Sequence, residues 1–452
     1  MVGLALLFAA ASLLVGAVAI AKPRPKPKHK PKGPPAALDF AFGSRGLTAL
    51  GKGYQLLGVV TQSNGKVVVA GDQQLRSGVR LVVARLTSAG RLDRAFNHGH
   101  VQFGPKEKAG GSIGSAVAIQ RDGKILVTGV VTDRSGLAQM GMLAVRFTSA
   151  GRLDRSFGSG GTTTLLGGTA GGAANGLALQ RDGKILLAGS ALGTDGLPRI
   201  ALARLDTHGR PDHSFAANGI SVAQGSQDLG RDGTADAVAV QPSGGIVVAG
   251  SARPNLQTQN AVLARFNSRG SLDTSFGSGG SFVVPANVQG GGGAVLFQAL
   301  SVVGNGEIVA AGSAASDGVT PAYALAVRLS SSGRPVGSFG RGGIVALASQ
   351  IGTVTVNPIP GATGVAIARR GTIVLAGAFV DSGQSEVSLW SLNGRGAIVR
   401  SGTVRTKLIK SLSSGGANAL AIDSLGRIVV AGTSNNFISF NGVVLRYNGF
   451  GR

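Results

Sequence analysis

From residue 38 onward the chain alternates short apolar runs with polar breaks centred on glycine. The stretch AVAIQRDGKILVTG (116–129) shows the unit. An apolar run of strand length meets a polar break ending in Asp-Gly, and a second apolar run closes on glycine. Short runs rich in Val, Ile and Leu, split by Asn-Gly or Asp-Gly, predict the two strands of a hairpin. Beyond the extreme N-terminus, no periodic stretch of helical length carries caps at both ends.

The unit recurs. Seven copies end on Gly71, Gly129, Gly189, Gly250, Gly312, Gly377 and Gly432, spaced 55 to 65 residues apart. After each comes a variable loop, then a third apolar run such as LAVRFT (143–148) or ALARLD (201–206). A short turn leads into a segment such as RLDRSFGSGG (152–161), where a fourth strand begins. A period near sixty suits a four-stranded propeller blade. The pattern starts at LDFAFGSRG (38–46), a fourth-strand motif with no first three strands before it. It stops at GVVLRYNGFGR (442–452), a third strand with no fourth after it. The expected fold is therefore all-β: a seven-bladed β-propeller of four-stranded antiparallel blades over 38–452. The N-terminal strand closes the last blade and removes two large sheet edges.

The repetition decides what the recurring charges mean. Asp122 and Asp182 occupy a turn slot that Asn64, Asn305, Ser243, Arg370 and Leu425 fill in other copies. A catalytic carboxylate could not be exchanged so freely, so the slot is structural, and the turn is expected to need positive φ there. The third run carries Arg85, Arg146, Arg204, Arg265, Arg328 and Arg446. Asp93, Asp154, Asp212 and Asp273 follow eight residues after their arginines. Such pairs are expected to tie the outer strands together. Ser391 holds the arginine slot in copy six.

Composition adds the compartment. There is no cysteine, so disulfides and thiolate chemistry are excluded. Residues 1–21 are apolar and end in Ala19-Ile20-Ala21, the pattern of a signal peptide, but no basic residue precedes the run. A signal peptide or a membrane anchor is expected there, with the protein secreted or held at the cell envelope. Residues 22–37 form a Lys/Pro-rich linker of extended, polyproline-like character. The formal charge is +24, of which Lys22, Arg24, Lys26, Lys28, Lys30 and Lys32 supply six. Such a surface attracts polyanions.

The unit Q-x-D-G-K-I-x-x-A-G followed by R-x-x-x-x-G-x-L-D-x-S-F-G-x-x-G resembles the delta-60 repeat, a bacterial β-propeller family of unknown function. The resemblance spans about 38–452, is weakest at GRGAIVRSGT (394–403), and brings no activity or site with it. It implies a propeller, and similar strand order in better-understood propellers implies that the AVAIQ-type strand is innermost and the FGxxG strand outermost. One face would then carry the short first-to-second and third-to-fourth turns, and the other the long, dissimilar loops. The loop face is where binding residues are expected.

Motifs of established chemistry are sparse. No cofactor-binding motif is present. GGSIG (110–114) fits the nucleophile pattern around Ser112, but no helix is expected after it. His29, His98, His100, His208 and His213 lie in no metal motif. Asp228, Asp232 and Asp236 form one acidic cluster, the only metal candidate, though Arg231 interrupts it. Gly290–Gly293 offers backbone amides to an anion. These features predict an exported, monomeric, non-enzymatic binding or scaffolding protein. Its loop face would engage a protein or polysaccharide partner, and its basic arm an anionic surface polymer. Nucleic acid is disfavoured because Trp390 is the only tryptophan. The alternative is a propeller lyase or hydrolase with a site at the channel mouth. It requires residues such as Asp195, Asp317, Arg253 and the acidic cluster to converge.

Overall fold

Each period folds into four antiparallel strands. In repeat one these are Tyr54–Thr61, Val67–Leu75, Gly78–Leu86 and Gln102–Phe103. In repeat four they are Asp232–Val240, Ile246–Arg253, Asn260–Phe266 and Ser281–Val284. The computed structural model describes residues 37–449, except 77, 105–109, 134–138, 167–170, 224–228, 230–231, 256–257, 287–292, 317–319, 348–360, 382–383, 405–413 and 436–439. Among the described residues there is no α-helix, only 3₁₀ turns at Asn97–Gly99 and Arg369–Gly371. Repeats two and three join into one eight-stranded sheet through a parallel bridge between Met140 and Gly172. The last sheet is built from both ends of the chain. Strand Leu47–Lys52 pairs antiparallel with Phe440–Tyr447, with Leu47 opposite Leu445.

The apolar runs are continuous rather than alternating because each sheet is covered on both faces. In repeat one, Val68 and Ala70 pack against Ile125, Val127 and Leu143 of repeat two. Val67 and Val69 point the other way, against Val429, Ala431 and Val444 of repeat seven. The same arrangement places Leu186 and Ala188 on Ile246 and Val248, and Val247 and Ala249 on Ile308 and Ala310. The result is propeller-like: four-stranded sheets stacked face to face.

The hairpin turn differs from expectation in one respect. The positive φ falls on the glycine, not on the acidic residue before it: Gly123 has φ 81° and Gly183 86°, whereas Asp122 and Asp182 stay at negative φ. The aspartates instead accept a hydrogen bond from the backbone two residues on, Lys124 N to Asp122 Oδ1 at 3.1 Å and Lys184 N to Asp182 Oδ1 at 3.1 Å. This is an Asx turn, which explains why Asn, but not only Asn, suits the slot. Arg370 alone in this series takes positive φ itself.

The closing glycine has a separate cause. Every first strand bulges directly opposite it: the register slips between Leu56 and Gly58 against Gly71, and between Ala174 and Gly176 against Gly189. The bulge leans a first-strand carbonyl over the glycine. A Cβ on Gly189 would stand 1.8 Å from Ala173 O, so no side chain fits.

Candidate functional site

The recurrent Arg, Asp and Lys residues build a lattice between sheets. Arg146 donates from Nε to Asp154 Oδ2 at 2.9 Å, and from Nη1 to Thr207 O of the next repeat at 2.6 Å. Its guanidinium stacks 4.6 Å from the Phe157 ring. Arg85, Arg204 and Arg265 repeat the geometry on Asp93, Asp212 and Asp273. The expected pairs are present, with one correction: the carboxylate takes Nε, and the terminal nitrogen stitches one sheet to the next. Burial works to raise the Asp154 pKa, but hydrogen bonds from Ser156 and the charge of Arg146 outweigh it and hold it at about 2. These groups are paired, and their chemistry is cohesion. The groove beside Arg265 and Asp273 opens on this same short-turn face.

A different set of residues meets along the first strands. The extra residue of each bulge is Leu57, Ser115, Asn175, Asp236, Gln298, Thr363 or Asn418. All are half-buried and sit at the same level, opposite the closing glycines. They link neighbouring first strands: Asn175 Nδ2 donates to Ala235 O at 3.2 Å, Thr363 Oγ1 to Ala417 O at 2.6 Å, and Asn418 Nδ2 to Leu56 O at 2.7 Å. Apart from Leu57, the outcome is a belt of polar side chains along the first strands, with one ionisable member. Asp236 Oδ1 accepts from Asn175 Nδ2 at 3.1 Å. Desolvation pushes its carboxyl up to about 7, against the lowering effect of the Asn175 hydrogen bond. A carboxyl balanced there can take or give a proton at neutral pH.

Further along the first strand of repeat four, Asp232 pairs with Arg253 at 3.1 Å. On the neighbouring repeat, Asp195 pairs with Arg199 at 2.6 Å. Asp228, Asp317 and Gly290–Gly292 lie outside the described residues. Asp232 and Asp236 do not share a partner, and among the described residues no three His, Asp or Glu side chains are grouped to hold a metal. Ser112 is buried inside the strand Gly110–Ile119, and its Oγ accepts from Leu81 N at 3.2 Å. That is a structural role, without a nucleophile elbow.

Two features escaped sequence reasoning. The first is the belt itself. Its members differ in residue type, and nothing in the pattern marks which residue a bulge will extrude. The second is Asp72, the residue after Gly71. It is 6% exposed, and its Oδ1 has no protein partner. Burial pushes its pKa to about 7. Ser190, Ser251 and Thr433 hold the same position in other repeats, and that contrast was readable in the sequence.

Residues 62–96, 180–215 and 241–276 match a family model described as a domain of unknown function (DUF5122) beta-propeller. This supports a β-propeller repeat of unknown function, the coarser part of the delta-60 resemblance. No curated protein matches the sequence. Among solved structures, the polysaccharide lyase Uly1 superposes with a TM-score of 0.50 at 12% identity, covering 87% of this chain and 89% of that one. A PL25 ulvan lyase bound to a GlcA–Rha3S saccharide gives 0.46 at 14% identity, over 86% and 91%. A protein of unknown function from Dyadobacter fermentans gives 0.43 at 12%, over 89% and 99%. At these identities the likeness is one of fold. It nevertheless overturns the non-enzymatic scaffold as the leading expectation, because the similar folds include that of an enzyme, the polysaccharide lyase Uly1.

Proposed function

We propose that the protein is a β-propeller lyase or hydrolase acting on an anionic polysaccharide, with its site at the loop-face mouth of a central channel. Its frame is a closed ring of seven four-stranded blades. Pairing of Leu47–Lys52 with Phe440–Tyr447 and packing of repeat one on repeat seven support that closure. The observation that carries the functional reading is Asp236, the one ionisable side chain in the inner belt, with a pKa near 7. The fold likeness to Uly1 supports the reaction class, and the +24 charge supports a polyanionic substrate.

In the lyase version, the Asp236 carboxylate takes the proton beside the carboxyl group of a uronate ring. The C–H electron pair becomes a ring double bond, the glycosidic C–O bond breaks, and the leaving oxygen takes a proton from water. Arg253 and Arg199 lie on the loop-face side and would hold substrate carboxylates, exchanging their pairs with Asp232 and Asp195. Asp236 is about 13 Å along the strand from Asp232. A sugar chain therefore reaches it end first.

The test is incubation with a panel of uronate-containing polysaccharides. A lyase product absorbs in the ultraviolet through its new double bond, while a hydrolase product yields reducing ends without that absorbance. D236N should abolish either signal while the protein stays folded. If wild type cleaves none of the panel, or D236N retains full activity, the assignment fails. Export, with residues 1–21 removed, is part of the same proposal, and mass spectrometry of the native N-terminus tests it.

A further inference from the structure

Three repeats seat a lysine against the carboxylate of their own Leu-Asp or Pro-Asp turn. Lys66 Nζ lies 2.8 Å from Asp93 Oδ2, Lys124 Nζ 3.3 Å from Asp154 Oδ2, and Lys184 Nζ 3.0 Å from Asp212 Oδ2. In each case the same oxygen also accepts from the arginine Nε. Repeat four keeps the arginine and the aspartate but lacks the lysine. Arg265 Nε is 2.8 Å from Asp273 Oδ2, and Gly245 stands in the lysine position. No second cation pairs with Asp273 among the described residues. Its side chain is 28% exposed, against 7%, 10% and 11% for Asp93, Asp154 and Asp212. A groove of about 720 Å³ opens at this point, lined by Gly245, Arg265, Asp273, Ser268, Asn305 and Ser331.

The rest of the cluster is satisfied. Asp273 Oδ1 accepts from Ser275 N at 3.1 Å and Ser275 Oγ at 2.6 Å. Arg265 Nη1 donates to Ser331 O at 2.7 Å, and Nη2 to Ser275 Oγ at 3.1 Å. The guanidinium thus faces fixed partners and offers little to an anion. What remains open is one acceptor direction on Asp273 Oδ2, the direction that holds an ammonium in three sister repeats.

We propose that this groove on the short-turn face binds a primary alkylammonium group, the end of a free diamine or of a lysine side chain. Hydroxyl and amide oxygens of Ser268 and Asn305 line the groove and suit the remaining N–H donors. The chain's +24 charge opposes cations at long range, but screening over about 8 Å at physiological salt leaves the local carboxylate in control. Repeat five has no such cradle, because Glu307 takes the lysine position and pairs with Arg328 at 2.6 Å.

The probes are 1,5-diaminopentane and N-acetyl-lysine methylamide, each titrated into the full chain and followed by calorimetry and backbone NMR. The N,N′-diacetylated diamine and the Nα,Nε-diacetylated lysine methylamide, which lack the ammonium, serve as controls. One site per chain is expected, with shifts centred on Gly245 and Asp273. D273N should weaken binding at least tenfold. Lys184→Ala should raise the stoichiometry from one to two by opening the sister cradle at Asp212, and Lys124→Ala provides the same test at Asp154. Tighter binding of the lysine derivative would identify a protein side chain as the source, and equal binding would show that the ammonium alone is read. Binding unchanged in D273N, binding of the acetylated controls, or a stoichiometry that stays at one in both lysine variants would overturn the proposal.

Discussion

Arg446 donates from Nε to Asp39 Oδ2 at 2.8 Å across 407 residues of sequence. Within one repeat the same contact spans eight residues, as between Arg85 and Asp93 at 2.7 Å. The seam between the two ends of the described chain thus copies the regular intra-repeat geometry. Arg446 also donates from Nη1 to Ser88 O, and its guanidinium stacks 4.5 Å from Phe42. Both groups are buried, Arg446 at 1% exposure. Arg446→Ala should therefore strip Asp39 of its Nε and Nη2 donors inside the seam and leave Arg427 Nη1, at 3.6 Å, as its remaining cationic partner. A loss of about 1–3 kcal/mol is expected, read as a lower urea midpoint. Loss of the Leu47–Lys52 strand should do at least as much, because it exposes the edge of Phe440–Tyr447.

The closing glycines give a steric test. Gly189→Ala drives a methyl group to 1.8 Å from Ala173 O and must undo the bulge that carries Asn175. A cost of about 1–3 kcal/mol is expected from the overpacking alone, together with loss of the Asn175–Asp236 hydrogen bond by NMR. Gly342→Ala is the control. It has φ +62° and nothing within 4 Å of an added Cβ, so only the backbone preference of about 1–2 kcal/mol applies.

The repeat and its phase were legible because each Asn-Gly, Asp-Gly and Leu-Asp copy solves the same local problem: a tight turn or a charge pair within one sheet. The phase implies pairing of residues 38–50 with 441–448, and the structure pairs Leu47–Lys52 with Phe440–Tyr447. The site was far less legible. A bulge is set by how neighbouring first strands crowd one another, and this leaves no residue signature: Leu57, Ser115, Asn175, Asp236, Gln298, Thr363 and Asn418 share a position, and only Asn recurs there. The sequence points to Asp122 for the positive φ because Asp tolerates it, yet Gly123 adopts it at less cost and leaves the carboxylate to cap the turn. The eight-residue spacing implies arginine ties within a sheet. Their second partner, such as Thr207 O for Arg146, belongs to the next repeat and could be found only in three dimensions.

Asp72 and Asp154 predict opposite pH dependences. Asp72 is held up at about 7 by desolvation, against an ordinary value of 3.8. Below about pH 4 both folded and unfolded chains are protonated there, and the site costs nothing. As the pH rises to 7 the unfolded chain ionises first, so stability falls, then levels off above 7. Asp72→Asn should remove that descending limb and stabilise the protein at pH 8 by up to about 4 kcal/mol. Asp154 is lowered to about 2. Its contribution is present above pH 4 and lost as the pH falls through 2, so Asp154→Asn should destabilise at neutral pH and converge with wild type in acid. Urea titrations at pH 3, 5 and 8 separate the two.

The proposed catalytic role of Asp236 ties rate to a neighbour that touches no substrate. As a base, the carboxyl must be ionised, so cleavage should rise tenfold per pH unit below about 7 and flatten above it. Asn175 donates to the ionised form from 3.1 Å and thereby lowers the pKa that burial raises. Asn175→Ala removes that donor. The limb should then move to higher pH, with the plateau rate at high pH largely kept. Asn175→Asp puts a second negative charge beside the first and should move it further, since two adjacent carboxylates resist joint ionisation. A residue that only shaped the belt would change the plateau and leave the midpoint in place. The displacement of the limb therefore identifies which side chain takes the proton.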